Sequence, residues 1–143
     1  MARICIMVAS AIVLFFGLLH LYGTFFTTDL YPNDSDLILK LKSSHIQMDE
    51  SGNLWKLWIG FNAMFSVGLA FIGAINLYLA ARHFSFWSEQ PFIFFLTIAS
   101  NAFLVWIGYE YIIMDFVISM AIPLCLFVVG FTLHHSAKAK ENE

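Results

Sequence analysis

Four long runs of apolar residues, separated by polar segments, dominate the pattern of the chain. They extend over about residues 4–26, 54–81, 91–108 and 116–133. The hydrocarbon core of a bilayer is about 30 Å thick and takes about 20 apolar helical residues to cross. Each run is close to that length. The pattern therefore predicts four transmembrane helices, in one unit that comprises residues 1–143.

The stretch 27–53 is the longest polar segment and is expected to form a loop on one membrane face. A turn signal precedes Asp34 or Ser35, and either residue is placed to cap a short amphipathic helix that extends to Ile46. The alternation of Leu and Lys at 39–42 also fits a strand, so both assignments stay open. We expect an amphipathic segment that lies on the membrane surface.

Small and polar residues recur at helical spacing within each apolar run. Helices in lipid associate through such residues, because lipid supplies no hydrophobic drive for them to meet. The residues expected inside the bundle are Ser10, Gly17, His20, Thr24, Asn62, Ser66, Gly73, Asn76, Thr97, Asn101, Gly108, Asp115, Ser119 and Gly130. Short connectors between the later helices favour antiparallel neighbours. The predicted fold class is all-α, an integral membrane antiparallel four-helix bundle.

Composition agrees with a membrane location. Of the 143 residues, 60% are hydrophobic and 12% are charged, whereas soluble domains have about 45–50% and about 25%. A soluble protein this small buries too little of its surface to hide so much apolar area. The 7 Lys and Arg are outnumbered by 10 Asp and Glu, so no positive field exists to bind phosphates. The expected partner is the lipid bilayer, and no nucleic-acid partner is expected.

Basic residues near the span ends predict the orientation. One side has Arg3, Arg82, Lys138 and Lys140, and the other has Lys40, Lys42 and Lys56. Arg82 lies in a very short connector, and short connectors dominate the positive-inside rule. We therefore expect both termini to be cytoplasmic. An aromatic belt at the membrane interfaces is expected from Trp55, Trp58, Trp87 and Trp106.

Polar residues gather in the half of the bundle next to the loop. A rise of 1.5 Å per residue places His20, Asn62 and Asn101 roughly 5–12 Å below that surface, with Glu110 and Asp115 at the rim. The opposite half has only Asn76, Thr97 and small residues, so no polar pathway crosses the membrane, which argues against a channel or a proton pump. The residues expected to bind a ligand in this polar pocket are His20, Thr24, Trp58, Asn62, Asn101, Glu110 and Asp115.

His20 is an ionisable side chain inside a span, which is costly and indicates a functional site. One interpretation is a neutral imidazole that joins helices by a hydrogen bond to Asn62, Asn101 or Thr24. The other is a metal or haem ligand, completed by His45 from the loop and a carboxylate of the rim. Both asparagines are expected to bond across helices. No cofactor is predicted, and the metal question stays open.

No catalytic motif is present. The sequence lacks a serine nucleophile elbow, H-E-x-x-H, a phosphate-binding glycine loop and paired carboxylates within the spans. A non-enzymatic role is therefore expected.

Gly-Leu-Leu-His at 17–20 and Leu-Trp-Lys-Leu-Trp-Ile-Gly-Phe-Asn at 54–62 lie on either side of the polar loop. They resemble a loose group of small bacterial four-helix membrane proteins, for which no function is established. The resemblance covers about the first half of the chain. It implies one four-helix unit in a bacterial inner membrane and draws attention to His20, Trp58, Gly60 and Asn62. The architecture is also similar to that of DoxX-type proteins, without a shared motif.

Two functional hypotheses follow. The first is a multi-pass inner-membrane protein, non-enzymatic, whose polar pocket binds a small lipophilic ligand or a partner membrane protein. The alternative is a metal- or haem-binding membrane redox protein that uses His20.

Overall fold

The computed structural model describes residues 1–141, and within them it contains six helices and one two-stranded sheet. In chain order the elements are α1 (Ala2–Phe26), α2 (Ser35–Ser43), β1 (His45–Ile46), β2 (Asp49–Asn53), α3 (Leu54–Arg82), α4 (Phe84–Glu89), α5 (Pro91–Tyr111) and α6 (Met114–Glu141).

The long helices α1, α3, α5 and α6 pack together, and 84% of the structure is helical. All four are long and apolar enough to cross a membrane. Large side chains on their outer faces, among them Phe15, Phe71 and Phe103, are exposed in the isolated chain. In a bilayer such side chains face lipid. The protein is a multi-pass membrane protein, and the predicted fold class, an all-α membrane helical bundle, is confirmed.

The long helices alternate in direction. We call the end of the bundle that carries residues 27–53 the loop end, and the end where α1 begins and α6 finishes the terminal end. Two helices extend past the expected spans: α5 continues to Tyr111 and α6 to Glu141.

Helix α1 packs most extensively against α3, and two glycines permit the close approach. A Cβ atom at Gly17 would lie 2.5 Å from the backbone nitrogen of Ala70, and one at Gly73 would collide with the backbone of Leu14. Small residues are what allow helices in lipid to bring their backbones together. The α1–α3 crossing therefore depends on two positions that no larger residue can occupy without moving a helix.

Helix α6 joins α1 to α5. Gly130 of α6 lies against Ile6 of α1 at the terminal end. Phe94 of α5 stacks on Phe131 of α6, with ring centroids 3.5 Å apart. The order of neighbouring long helices in the bundle is therefore α3, α1, α6, α5.

Most of the predicted small and polar positions are inside the bundle. The buried ones are Ser10, Gly17, Thr24, Ser66, Gly73, Asn76, Thr97, Asn101, Gly108 and Gly130. His20, Asn62 and Ser119 are half-buried, and Asp115 is exposed.

An amide clasp, formed by Asn76, Trp87 and Thr97, ties α3, α4 and α5 together at the terminal end. The Trp87 indole N–H donates to Asn76 Oδ1 at 2.8 Å, and the Thr97 hydroxyl lies 3.0 Å from the same oxygen. The Asn76 amide nitrogen donates to the Ile72 carbonyl at 3.0 Å. The expectation that Trp87 belongs to an interfacial belt is wrong, because its ring is fully buried against a hydrogen-bond acceptor.

Arg3 caps the C-terminus of α3. Its guanidinium donates to the Ala80 carbonyl at 2.9 Å and to the Ala81 carbonyl at 2.5 Å. The last carbonyls of a helix have no partner within it and carry partial negative charge, so a cation there is stabilising.

The loop contains a helix and a hairpin. Asp34 caps α2 by accepting from the backbone N–H of Asp36 and of Leu37, at 2.8 and 3.3 Å. Of the two assignments left open at 39–42, the helix is confirmed. The expectation that this helix extends to Ile46 is wrong: α2 ends at Ser43, and Ile46 pairs in β1 with β2.

The hairpin is stabilised locally at Asp49. The Ser51 backbone N–H donates to the Asp49 carboxylate at 2.8 Å. This bond favours the ionised form and lowers the pKa of Asp49 below its ordinary value.

We predict that Gly73→Ala lowers the free energy of unfolding by about 1–3 kcal/mol, the usual cost of overpacking. The added methyl group forces α1 and α3 apart. Gly68→Ala is the matched control on the same helix, because nothing lies within 4 Å of a Cβ atom there. Thermal unfolding in detergent, followed by circular dichroism, measures both. Equal stability of the two variants would contradict a glycine-dependent crossing.

Candidate functional site

A cavity of about 350 Å³ lies at the loop end, between α1 and α6. Its walls are mostly apolar, and α1 supplies half of the lining residues. The lining residues are Phe16, Leu19, His20, Tyr22, Gly23, Thr27, Asp29, Leu30, Leu69 and Phe116. Phe16 precedes Phe26, the last residue of α1, by ten positions, so the cavity reaches roughly 15 Å into the bundle.

The cavity has a floor, a roof and an open side. Leu69 of α3, which is 2% exposed, lies at its deep end. Asp29 and Leu30, which follow the end of α1 in the loop, lie at its upper end. Leu19 and Tyr22 on the rim are 50% and 57% exposed. In a bilayer the rim therefore faces acyl chains, and the cavity opens sideways toward lipid.

His20 lines this cavity and is bonded across to α3. Its Nε2 lies 3.1 Å from Asn62 Oδ1. The Asn62 amide nitrogen donates to the Trp58 carbonyl at 2.8 Å, which assigns the other amide atom, the oxygen, to His20. An amide oxygen only accepts hydrogen bonds. His20 Nε2 therefore carries a proton and donates it to Asn62.

Aromatic rings hold the imidazole in place. Phe65 of α3 meets His20 edge to face, with centroids 5.3 Å apart. Phe65 also contacts Phe116 of α6, at 5.6 Å. The rings of His20, Phe65 and Phe116 therefore form a continuous aromatic cluster that joins α1, α3 and α6 beside the cavity.

The turn of α1 above His20 is stabilised by hydroxyl groups. Thr24, which is 2% exposed, donates to the His20 carbonyl at 2.8 Å. Thr27 donates to the Gly23 carbonyl at 3.1 Å and accepts from the Asp29 backbone N–H at 3.2 Å. These bonds end α1 and turn the chain over the cavity.

The structure brings together some of the expected ligand-binding residues and separates others. His20, Asn62, Thr24 and Trp58 are linked by the hydrogen bonds above, although only His20 lines the cavity. The Trp58 ring is exposed on the outside of α3. Glu110 and Asp115 lie exposed at the loop end and do not line the cavity.

Asn101 differs from its expected role. Its side chain is fully buried, and its amide nitrogen donates within α5, to the Thr97 carbonyl at 2.8 Å. Its Oδ1 has no hydrogen-bond partner among residues 1–141. The expected bond from Asn101 across helices is therefore wrong, because the side chain folds back along its own helix.

Within the described residues, no group of three or more His, Cys, Asp or Glu side chains is arranged to hold a metal ion. His45, expected to fold over the pocket, is exposed in β1. Cys5 and Cys125 are both free thiols.

The apolar residues of the cavity were missed by the sequence analysis. Phe16, Leu19, Gly23 and His20 follow a spacing of three to four residues along one face of α1, and this is the signal that was available. The same spacing is typical of residues that face lipid, so it does not identify a cavity without the position of α6.

We predict that His20 and Asn62 are energetically coupled. A double-mutant cycle of His20→Ala, Asn62→Ala and the double variant should give a coupling free energy of about 0.6–1.7 kcal/mol, the range for hydrogen bonds between membrane helices. Unfolding in mixed micelles measures it. The pair Ser119→Ala with Asn62→Ala is a control that should show none, since the Ser119 hydroxyl bonds within α6. Purely additive effects at His20 and Asn62 would contradict the bond.

Comparison with known proteins gives no family: the chain matches no protein-family model, no curated protein and no solved structure. What the four long apolar helices support is a four-helix membrane protein.

Proposed function

We propose that this protein is a non-enzymatic, multi-pass protein of the bacterial inner membrane that binds a small lipophilic molecule in the loop-end cavity. His20 orients the ligand, and Asn62, Trp58 and Thr24 hold His20 in position. Both termini are cytoplasmic in this proposal, so the cavity lies in the outer half of the membrane.

The observation that carries the proposal is the composition of the cavity wall. Ligand sites are mostly apolar clefts of about 300–1,000 Å³ with a few placed polar groups. The loop-end cavity has about 350 Å³, mainly apolar walls and one imidazole. The hydrogen bond from His20 Nε2 to Asn62 already fixes the imidazole, so little further side-chain entropy is lost when a ligand binds.

The positions of basic residues support the orientation. Arg82 ends α3 and is followed at once by α4, so it lies in a short connector at the terminal end. Lys138 and Lys140 lie in the last turn of α6 at the same end. Basic residues in short flanking segments favour the cytoplasmic side.

Gly23 provides the test. A Cβ atom there would make only ordinary contacts, at 3.9 and 4.0 Å, and would extend into the space beside the cavity wall. We predict that protein purified in mild detergent retains a lipophilic molecule at about one per chain, and that Gly23→Leu loses it. Solvent extraction followed by mass spectrometry measures the amount.

Gly68→Leu is the matched control, because it adds the same side chain to a helix position that is open to lipid. It should retain the molecule as the unchanged protein does. Equal retention by Gly23→Leu, or no stoichiometric molecule in the unchanged protein, would contradict the proposal. A visible spectrum and metal analysis of the same preparation test the alternative: bound haem or metal that is lost in His20→Ala would favour the redox hypothesis.

A further inference from the structure

The two nitrogens of His20 have different roles. Nε2 donates its proton to Asn62 Oδ1. In a neutral imidazole one nitrogen donates and the other accepts. In that form Nδ1 is a hydrogen-bond acceptor, and since Nε2 is bonded to Asn62, Nδ1 is the ring nitrogen left to bond a molecule beside His20.

The other polar groups of the cavity are also acceptors. The Thr27 hydroxyl proton is directed to the Gly23 carbonyl and its oxygen accepts from the Asp29 backbone N–H, so this hydroxyl has no proton to offer a ligand. Asp29, at the roof, contributes a carboxylate. The Tyr22 hydroxyl is the exception, and its ring lies on the lipid-facing rim, stacked on Phe26 with centroids 5.3 Å apart.

A cavity whose polar groups are hydrogen-bond acceptors favours a ligand that donates a hydrogen bond. A ketone, ether or ester brings only acceptors, and its oxygen would face lone pairs. A carboxylate would also be repelled by the negative charge of Asp29, an exposed acidic residue at the roof. A hydroxyl can donate to His20 Nδ1, and a hydrogen bond of this kind makes a modest favourable contribution to the free energy of binding.

The walls and the opening describe the rest of the ligand. Phe16 and Phe116 offer aromatic faces, against which a flat ring packs well. A second groove between α1 and α6, lined in part by Phe15, Ile118 and Ile122, shares Phe16 with the cavity and faces lipid. An alkyl chain can lie along this groove while the ring occupies the cavity.

From these observations we infer that the ligand is a lipophilic phenol or a closely related ring alcohol, whose hydroxyl donates to His20 Nδ1. It enters sideways from the bilayer between α1 and α6. This inference rests on the proposed function, since it names the chemical class that the loop-end cavity accepts.

A matched pair of probes tests the inference: 4-hexylphenol, which donates, and 4-hexylanisole, its methyl ether, which only accepts. Their affinities for the purified protein in detergent are measured by isothermal titration calorimetry. We expect the phenol to bind about tenfold more tightly, the effect of one hydrogen bond of about 1.4 kcal/mol. Equal affinities would overturn the inference and leave the proposed function standing. No binding of either probe would overturn both.

His20→Phe keeps a ring of similar size and removes both nitrogens. The phenol preference should fall to about twofold or less, while 4-hexylanisole still binds. Gly23→Leu should abolish binding of both probes, and Gly68→Leu should change neither. A phenol preference that persists in His20→Phe would overturn the assignment to this imidazole.

Asn62→Asp gives a readout that a purely structural role would not move. A carboxylate beside Nε2 stabilises the doubly protonated imidazolium, in which Nδ1 carries a proton and donates. The preference should then shift toward 4-hexylanisole. An unchanged preference for the phenol would count against Nδ1 as the recognising atom.

Discussion

The close contact between α1 and α3 is the constraint on which the rest of the structure depends. Lipid gives apolar helices no hydrophobic reason to associate, so association depends on packing and polar contacts. Gly17 and Gly73 allow the two backbones to meet, each against the other helix. Near the same crossing, the bond from His20 to Asn62 adds a polar contact one turn closer to the loop. Moving the helices apart would break both contacts.

The cavity is a consequence of how α6 joins this pair. At the terminal end Gly130 brings α6 against α1, and Phe94 and Phe131 bind α5 to α6. At the loop end, the bulky ring of Phe116 and the loop over α1 enclose a space instead of filling it. The terminal end is fixed by the amide clasp and the Arg3 cap. The two ends therefore differ in how their helices are joined: side-chain hydrogen bonds link helices at the terminal end, whereas the loop end holds the cavity beside the bond from His20 to Asn62.

Much of the fold could be predicted from the sequence because it depends on the length of the apolar runs and on small residues that recur at helical spacing. Apolar runs long enough to cross a bilayer predicted the four long helices, and small residues such as Gly17 and Gly73 predicted the interior faces. The clasp was harder to predict. A tryptophan near a span end is typical of the membrane interface, and only the position of α4 brings Trp87 to Asn76.

The candidate site was only partly predictable for a related reason. His20 and Asn62 were identified because polar side chains inside a span need partners, and they bond to each other. Asn101 has the same side-chain amide, but its amide nitrogen donates to the Thr97 carbonyl on its own helix. The apolar walls of the cavity look like lipid-facing residues in any sequence, because Phe and Leu suit both environments.

Solid-state NMR of the ¹⁵N-histidine-labelled protein in lipid bilayers tests the central claim most directly. The structure predicts that His20 Nε2 carries a proton and that the imidazole gives a through-space correlation to the side-chain amide of Asn62. An imidazole that correlates instead with acyl-chain protons, or one protonated at Nδ1 with no contact to Asn62, would contradict it.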